Sequence, residues 1–378
     1  MNRSAPADTV EDVGTQAKSD NSTAARVGAW GVLLGTAVTL VGVSWDIQWH
    51  NDVGPDTFFT LPHLFLYSGS ALSGFASLAV VLVATFAQRA GRPVPAMGGT
   101  PIRVFGSNLT APLGYMVAGA GAALFLLYGL LDLQWHSIYG FDAVLNTPSH
   151  VALFLSITLT MIGSIMVFAA HRDRRWGRAG IVLAIPIMIT FSPILTQALD
   201  NLELPVDATI LGVVFFGPLL LVLGAAALAR PGAAIAIALA LGALQALLWW
   251  FSPWAAEAYA TALGLPLRDG IGSRAPSLPA IMPMFLIVAA VAVEGLFWLA
   301  RARGNDPNKI VAAAGLVTGV VVGLTFPLQL QLVHFFSRVT LNIVVLSTLV
   351  AIPLGLLAGF LAGRFVRMLP APATEAAR

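Results

Sequence analysis

The sequence predicts an all-α protein, a polytopic transmembrane helical bundle of about ten helices. Of the 378 residues, 57% are hydrophobic and 10% are charged, whereas a soluble domain has roughly 25% charged residues. The mean hydropathy is +0.83. Apolar stretches of about 20 residues, long enough to cross a bilayer, recur along the chain. The predicted spans are 27–49, 61–87, 111–136, 148–170, 178–199, 207–229, 231–251, 277–301, 309–331 and 339–363.

The distribution of lysine and arginine predicts the orientation of this bundle. Cytoplasmic loops of membrane proteins carry an excess of both residues. With the spans above, one side of the membrane receives 17 of the 20 basic residues, and the opposite loops hold Arg268, Arg274 and Arg338. We therefore expect a multi-pass protein of the cell membrane with both termini in the cytoplasm. The inner basic residues would meet anionic lipid headgroups of the bilayer, and no basic stretch interleaved with aromatic residues suggests nucleic acid.

The chain divides into four predicted regions. Residues 1–25 are polar, which predicts a disordered cytoplasmic tail. They are not expected to be a signal peptide, because they lack its basic and apolar segments. Region 26–172 contains helices 1–4, region 173–368 contains helices 5–10, and 369–378 is a second tail. There is no cysteine, which excludes disulfides, thiolate metal ligands and cysteine-held iron–sulfur clusters.

A polar motif occurs twice in the first of the two helical regions. Both copies follow the pattern D-x-Q-W-H-x5-D-x(3 or 4)-T-x-x-H, and together they contain four of the six histidines. Each copy offers one carboxylate and two imidazoles, a donor set that transition metals use. Neither motif loop contains Lys or Arg, so both are expected on the outer face. The candidate metal ligands are Asp46, His50 and His63 in the first copy, and Asp132, His136 and His150 in the second.

The spacing predicts how each copy folds. The first Asp and the first His are four residues apart, so they share one face of a helix. The second His follows a Thr that suits a helix N-cap, with a Pro in the first turn. Two ligands therefore end one helix and the third begins its neighbour, which makes each copy an outward-facing helical hairpin. Asp56 and Asp142 are expected to hydrogen-bond the imidazoles and fix their tautomers. The alternative is structural, with Asp–His pairs that cross-link neighbouring hairpins.

Several other polar and aromatic residues carry separate expectations. Trp45, Trp49 and Trp135 are expected at the membrane interface, and His171 on a solvated cytoplasmic face. Glu294 lies inside a predicted helix, where it serves either as a proton or ion relay or, in protonated form, as an interhelical hydrogen-bonding group. Three glutamines are expected to make polar contacts between helices. They are Gln245, Gln329 and Gln331.

The motif resembles the metal-binding motif of the C subunit of copper-dependent membrane monooxygenases, the particulate methane and ammonia monooxygenase group. The resemblance rests on Asp-x3-His-x12-His, with Trp before the first His and Pro before the last. The second copy, Asp-x3-His-x13-His, is similar to the adjacent site region of that subunit. The resemblance, over both copies, covers about residues 27–170. The resemblance implies copper at the six positions, oxidation chemistry, and partner subunits that include one with cupredoxin domains. Helices 5–10 have no counterpart in that subunit.

Two functions remain open from the sequence, together with a third, weaker alternative. One is a copper-dependent membrane oxidoreductase, or a subunit of one, that oxidises a small apolar substrate with electrons from a redox partner. The other is a non-enzymatic protein for copper acquisition, transfer or sensing. Iron or zinc would suit the same donors, so copper rests on the resemblance. A b-type cytochrome is disfavoured because its axial histidines lie deeper in the helices. Assembly into a homo-oligomer is compatible with all three.

Overall fold

A computed structural model describes residues 8–369 except 56, 93, 95–96, 107, 141–144, 198–201, 203, 271–273 and 334–338. Within these residues the chain forms eleven α-helices and one two-stranded sheet. The helices are α1 Asp8–Asp52, α2 Leu61–Arg89, α3 Leu113–Tyr139, α4 Pro148–Ala169, α5 Arg175–Thr196, α6 Ala208–Leu228, α7 Ala233–Leu263, α8 Ser277–Ala280, α9 Leu286–Ala302, α10 Val311–Leu332 and α11 Leu341–Met368. The strands are β1 Pro101–Val104 and β2 Leu109–Pro112, and a 3-10 turn covers Pro307–Ile310.

The helices confirm the predicted membrane-protein class. In the described part of the chain, nine of them are long and apolar enough to cross a bilayer, namely α1 from Thr23 onward, α2 to α7, α10 and α11. The remaining predicted span corresponds to α9, which is 17 residues long. The protein is therefore a multi-pass helical membrane protein. Helices α5 and α6 are the most buried, whereas α3, α7 and α11 turn most of their residues outward.

Consecutive helices pack in closely spaced pairs. The most extensive contacts join α1 with α2, α3 with α4, and α10 with α11. Small residues allow this approach: a Cβ on Gly69 would lie 2.5 Å from the backbone nitrogen of Thr39, and one on Gly121 would lie 2.5 Å from that of Thr160. Small residues let membrane helices meet at backbone distance. These two contacts set the spacing of the two helical hairpins that carry the motifs.

Two helices are longer than the sequence predicted. Helix α1 begins at Asp8, inside the segment 1–25 that was expected to be a disordered tail. No proline interrupts 8–52, so the polar residues prolong the helix beyond the membrane span. Helix α7 continues to Leu263, although residues from 252 onward were expected to form a loop. It passes through Pro253 and ends at Gly264, whose φ of 68° suits a helix C-terminus. The second tail, from residue 370 onward, lies outside the described residues.

The predicted helix 277–301 is broken in two. Helix α8 ends at Ala280 and α9 starts at Leu286, because Pro279 and Pro283 remove backbone donors from this stretch. Gln245 donates to the carbonyl oxygens of Pro279 and Met282 at 2.8 and 3.2 Å. Gln329 donates to those of Ala280 and Met282 and accepts from the Met284 N–H. Neighbouring helices thus supply the hydrogen bonds that the break removes, as irregular backbone at membrane depth requires. The prediction that both glutamines join helices is confirmed.

A β-hairpin between α2 and α3 was not predicted. Strands β1 and β2 pair antiparallel, with Pro101 opposite Pro112. The hairpin is fixed to α2 through Thr85, whose hydroxyl donates to the Thr110 carbonyl at 3.2 Å and accepts from the Thr110 N–H at 3.1 Å. Arg89 donates to the Asn108 carbonyl at 2.9 Å. The hairpin closes the return between the two motif-bearing pairs at the end of the bundle remote from the motifs.

Glu294 binds the start of helix α7. Its carboxylate accepts hydrogen bonds from the backbone N–H groups of Gly232 and Ala234, at 2.9 and 2.8 Å. The first N–H groups of a helix have no partner within the helix, and the helix dipole favours an anion there. Of the two roles expected for Glu294, the structure therefore supports the interhelical hydrogen-bonding one, with both oxygens accepting, as in an ionised carboxylate rather than the protonated form that was predicted.

Replacing Glu294 with Ala should lower the free energy of unfolding by about 1–2 kcal/mol, because the first turn of α7 loses its capping acceptor. The measurement is thermal or denaturant unfolding of the purified protein in detergent. Glu294→Gln keeps one carbonyl acceptor and should lose less than half as much. Equal stability of all three proteins would show that the cap contributes nothing.

Candidate metal centre

The first triad forms where α1 ends and α2 begins. Asp46 and His50 lie on the last turns of α1, and His63 lies in the first turn of α2. The Oδ1 atom of Asp46 is 3.7 Å from Nε2 of His50 and 3.1 Å from Nε2 of His63. All three side chains are largely buried, with exposed fractions of 18–19%. One carboxylate oxygen therefore faces two imidazole nitrogens that come from different helices.

The second triad has the same construction at the junction of α3 and α4. Asp132 Oδ1 lies 3.5 Å from Nε2 of His136 and 3.7 Å from Nε2 of His150. Thr147 is the N-cap of α4, and its side chain accepts from the backbone N–H of His150. The predicted cap thus places the third ligand. The rings of His136 and His150 are 5.5 Å apart between centroids.

Backbone carbonyls orient two of the imidazoles. Nδ1 of His63 lies 3.1 Å from the carbonyl oxygen of Thr57, and Nδ1 of His136 lies 2.9 Å from that of Gly140. Because a carbonyl only accepts, each Nδ1 carries the proton and donates it. The lone pair of a neutral ring then lies on Nε2, which faces the carboxylate. A second hydrogen bond of this kind is the usual means of orienting a histidine that binds a metal.

The conformation of Gly140 allows its carbonyl to reach Nδ1 of His136. It ends α3 with a φ of 85°, in the left-handed region that glycine adopts at no steric cost. Its N–H donates to the carbonyl of His136 at 3.0 Å, while its own carbonyl meets the His136 ring. The residue was not predicted as part of the site. Its position four residues after a candidate ligand, at a helix end, is the signal that points to it.

Both carboxylates have an oxygen whose nearby polar partners are the two imidazole rings of its own triad. Among the described residues, the buried Oδ1 of Asp46 and of Asp132 has no hydrogen-bond donor other than these facing rings. Buried polar atoms are normally satisfied. If Nε2 of His63 or His136 donated a hydrogen bond to Oδ1, the ring would carry a proton on both nitrogens and a positive charge, since Nδ1 already donates to a carbonyl. A metal cation satisfies the same oxygen while both rings remain neutral.

The donor spacing fits a metal ion. In each triad, one ligand atom from each residue lies within 4.8 Å of the others. Ligands bound about 2.0–2.2 Å from a transition metal at tetrahedral angles are about 3.4 Å apart. The carboxylate-to-imidazole separations of 3.1–3.7 Å lie around this value. With three protein ligands, each triad would leave at least one coordination position open.

The two triads line one small cavity. Its volume is about 70 Å³, and its wall contains Asp46 and His63 from the first triad and Asp132 and His150 from the second. The remaining wall is almost entirely apolar and comes from α1 to α4 and from Leu145. These residues are Val43, Ile47, Leu66, Tyr67, Phe125, Leu145, Leu153, Phe154 and Ile157. Each triad keeps its own carboxylate, so the arrangement is two sites that face a common space.

Tyr259 of α7, which lies outside the motif, packs against the end of α1. Trp45 and Trp49 were expected at the membrane interface, but they are buried, 6% and 2% exposed. Both rings pack against Tyr259, at centroid distances of 5.8 and 4.9 Å. Tyr259 lies in the part of α7 that was expected to be a loop, so no partner for the tryptophans was predicted. They pack within the protein and hold α1 in place.

Gln48 ties the same helix end to the segment before α9. Its side chain donates to Asp52 at 2.8 Å and accepts from the N–H of Ser277 at 3.0 Å. Gln48 therefore faces away from the candidate ligands and binds elsewhere. Asp56 and Asp142, expected to support the imidazoles, lie outside the described residues. His171 is buried rather than solvated, with its Nδ1 atom 2.9 Å from the Val167 carbonyl and its ring against Trp176.

A comparison with protein-family models, curated proteins and solved structures finds no match to this chain.

Proposed function

We propose that the protein is a copper-binding membrane oxidoreductase, or a subunit of one, that oxidises a small apolar substrate in the cavity between its two triads. The observation that carries the proposal is the pair of buried carboxylate oxygens, each facing two imidazole nitrogens and without a hydrogen-bond donor from outside its triad. Two metal ions bound there would face a common apolar space. The proposal places both triads at the outer face of the cell membrane, in keeping with the bias of Lys and Arg toward the opposite loops.

Copper as the metal rests on the resemblance of the motif to the C subunit of copper-dependent membrane monooxygenases. Copper held by one carboxylate and two imidazoles would supply dioxygen activation at an open coordination position. The protein's own residues contribute the surroundings. The apolar wall, which includes Phe125 and Phe154, excludes bulk water and favours a substrate that partitions into lipid. Electrons would come from a partner subunit or a small reductant.

The alternative, copper acquisition or transfer, has less support. A transport route should continue from the triads into the membrane through polar or charged groups. Glu294, Gln245 and Gln329 were the candidates for such a route. All three are instead engaged with backbone groups at helix ends and breaks.

The direct test is elemental analysis of the purified protein beside the double variant His50→Ala/His136→Ala. We expect about two copper atoms per chain in the wild type and none in the variant, because each triad loses one of three ligands. Negligible metal in both proteins would disprove metal binding. Stoichiometric iron or zinc would support the two metal sites but contradict copper as their metal.

Oxygen consumption with a reductant and a small alkane separates the two functions on the same samples. Turnover in the wild type that disappears in the double variant would support the oxidoreductase. Full metal content without turnover, even with candidate partner subunits added, would favour acquisition. A Soret band in the absorption spectrum would instead indicate haem.

A further inference from the structure

A second, larger cavity lies beside the triads, and the proposed function does not use it. Its volume is about 450 Å³, enough for on the order of ten water molecules. The polar side of α1, the end of α5 and the segment that leads into α8 form its wall. Asn51 and Arg274 are exposed where they line it, so the cavity reaches the protein surface. We refer to it as the vestibule.

The vestibule and the metal cavity share two lining residues, Ile47 and Leu145. Ile47 lies between the ligand Asp46 and the vestibule residue Gln48 in the sequence of α1. Leu145 precedes α4. Both side chains are partly buried. Two aliphatic side chains therefore border both the surface-connected space and the cavity of the triads.

The polar wall of the vestibule is held in place by its own hydrogen bonds. Asn51 donates to the Ser277 hydroxyl at 2.6 Å and to the Ile47 carbonyl at 3.0 Å. Gln48 joins Asp52 to the Ser277 N–H. The Arg268 N–H donates to the carbonyl of Asp52 at 2.8 Å. Half of the residues that line the vestibule are polar, and Gln48, Asn51 and Asp52 are braced from two other segments of the chain. This wall suits a hydrated space better than the almost entirely apolar wall of the metal cavity does.

A metal ion needs such a space. Moving a charged ion through hydrocarbon is costly, so an ion cannot reach the triads from the lipid-facing sides of α2 or α3. The metal cavity itself is small and mostly apolar. The hydrated vestibule approaches it to within the thickness of one side chain, and rotamer changes of aliphatic side chains open gaps of that size on short timescales.

We infer that the vestibule is the aqueous entry route by which metal ions reach the triads, with Ile47 and Leu145 as the barrier between the two cavities. The inference rests on the proposed metal binding and adds a route and two residues that set the rate of loading. Arg274 places a positive charge on the same path, so it slows cations and filters what enters.

The test is the rate of Cu²⁺ uptake by metal-free protein in detergent, followed by the copper absorption band, together with the copper content at equilibrium. Ile47→Ala and Leu145→Ala should each accelerate uptake at least about fivefold, since the barrier loses bulk, and Ile47→Trp should slow it by a similar factor. Arg274→Gln should accelerate uptake more at low than at high ionic strength. The final copper content should be the same in all of them.

Leu34→Trp is the matched control for the tryptophan variant. Leu34 lies on α1 and is 57% exposed, away from both cavities, so its uptake rate should equal that of the wild type. The two alanine variants act in the opposite direction and on different segments, so the test stands even if Ile47→Trp does not fold. Full copper uptake at one common rate in every variant would overturn the entry route alone. A wild type that takes up no copper would overturn the proposed metal binding and the route with it.

Discussion

Replacing Asp46 or Asp132 with Asn is expected to remove one metal ion per chain, and replacing both is expected to remove two. Each carboxylate supplies the one anionic donor of its triad, and its Oδ1 lies within 3.7 Å of both imidazole Nε2 atoms. Loss of a hydrogen-bonding group behind a ligand already lowers metal affinity 10–100-fold, so loss of the charged ligand should exceed about 100-fold. Elemental analysis after dialysis at micromolar free metal measures the change.

The control for this experiment is Asp207→Asn. Asp207 is the N-cap of α6, and its side chain accepts from the N–H groups of Thr209 and Ile210. Asparagine caps a helix about as well as aspartate, so the fold and the metal content should stay unchanged. If Asp46→Asn and Asp132→Asn also kept the full metal content, the Asp–His contacts would be cross-links between helices, which is the structural alternative that the motif left open.

The substitution Gly121→Leu is expected to abolish metal binding at the second triad and to leave the first intact. A Cβ on Gly121 would lie 2.5 Å from the backbone nitrogen of Thr160, and a helix backbone cannot yield as the end of a side chain can. Helix α4 must therefore move away from α3, which carries His150 away from Asp132 and His136. Overpacking of this kind costs about 1–3 kcal/mol, and more where backbone has to move.

Gly242→Leu is the matched control, at an exposed position of helix α7. A Cβ on Gly242 meets nothing within 4 Å, so leucine there should leave the metal content and the unfolding temperature close to those of the wild type. The measurements are metal content per chain and thermal unfolding in detergent. If Gly121→Leu retained two metal ions, the close contact of α3 and α4 would not be what positions the second triad.

The candidate ligand set was predictable because the helical spacing and the helix cap that place it involve residues close together in the sequence. Asp46 and His50 share a helix face through their four-residue spacing, and Thr147 with Pro148 marks the helix start that places His150. The bias of composition toward apolar residues likewise made the membrane helices visible. In both cases a short window of sequence contains the whole physical cause.

Other elements depended on contacts between distant segments, and their prediction failed accordingly. The stretch 277–301 reads as one apolar helix, yet it breaks where Gln245 and Gln329 on other helices satisfy the freed backbone groups. Trp45 and Trp49 suit an interface by residue type, but Tyr259 of α7 buries them. The partner in each case lies tens to hundreds of residues away in the chain.

The amino-acid sequence specified a helical membrane protein with two Asp-His-His groups at helix ends that could hold a metal ion, since hydrophobicity, helical spacing and capping act over a few residues. It did not specify that the two sets face one 70 Å³ cavity, or that Ile47 and Leu145 line both this cavity and the vestibule. Those relations arise from the packing of α1 against α4, α5 and α8. Packing between segments distant in sequence is a property of the folded chain, because it depends on the shapes of all the surfaces that meet there.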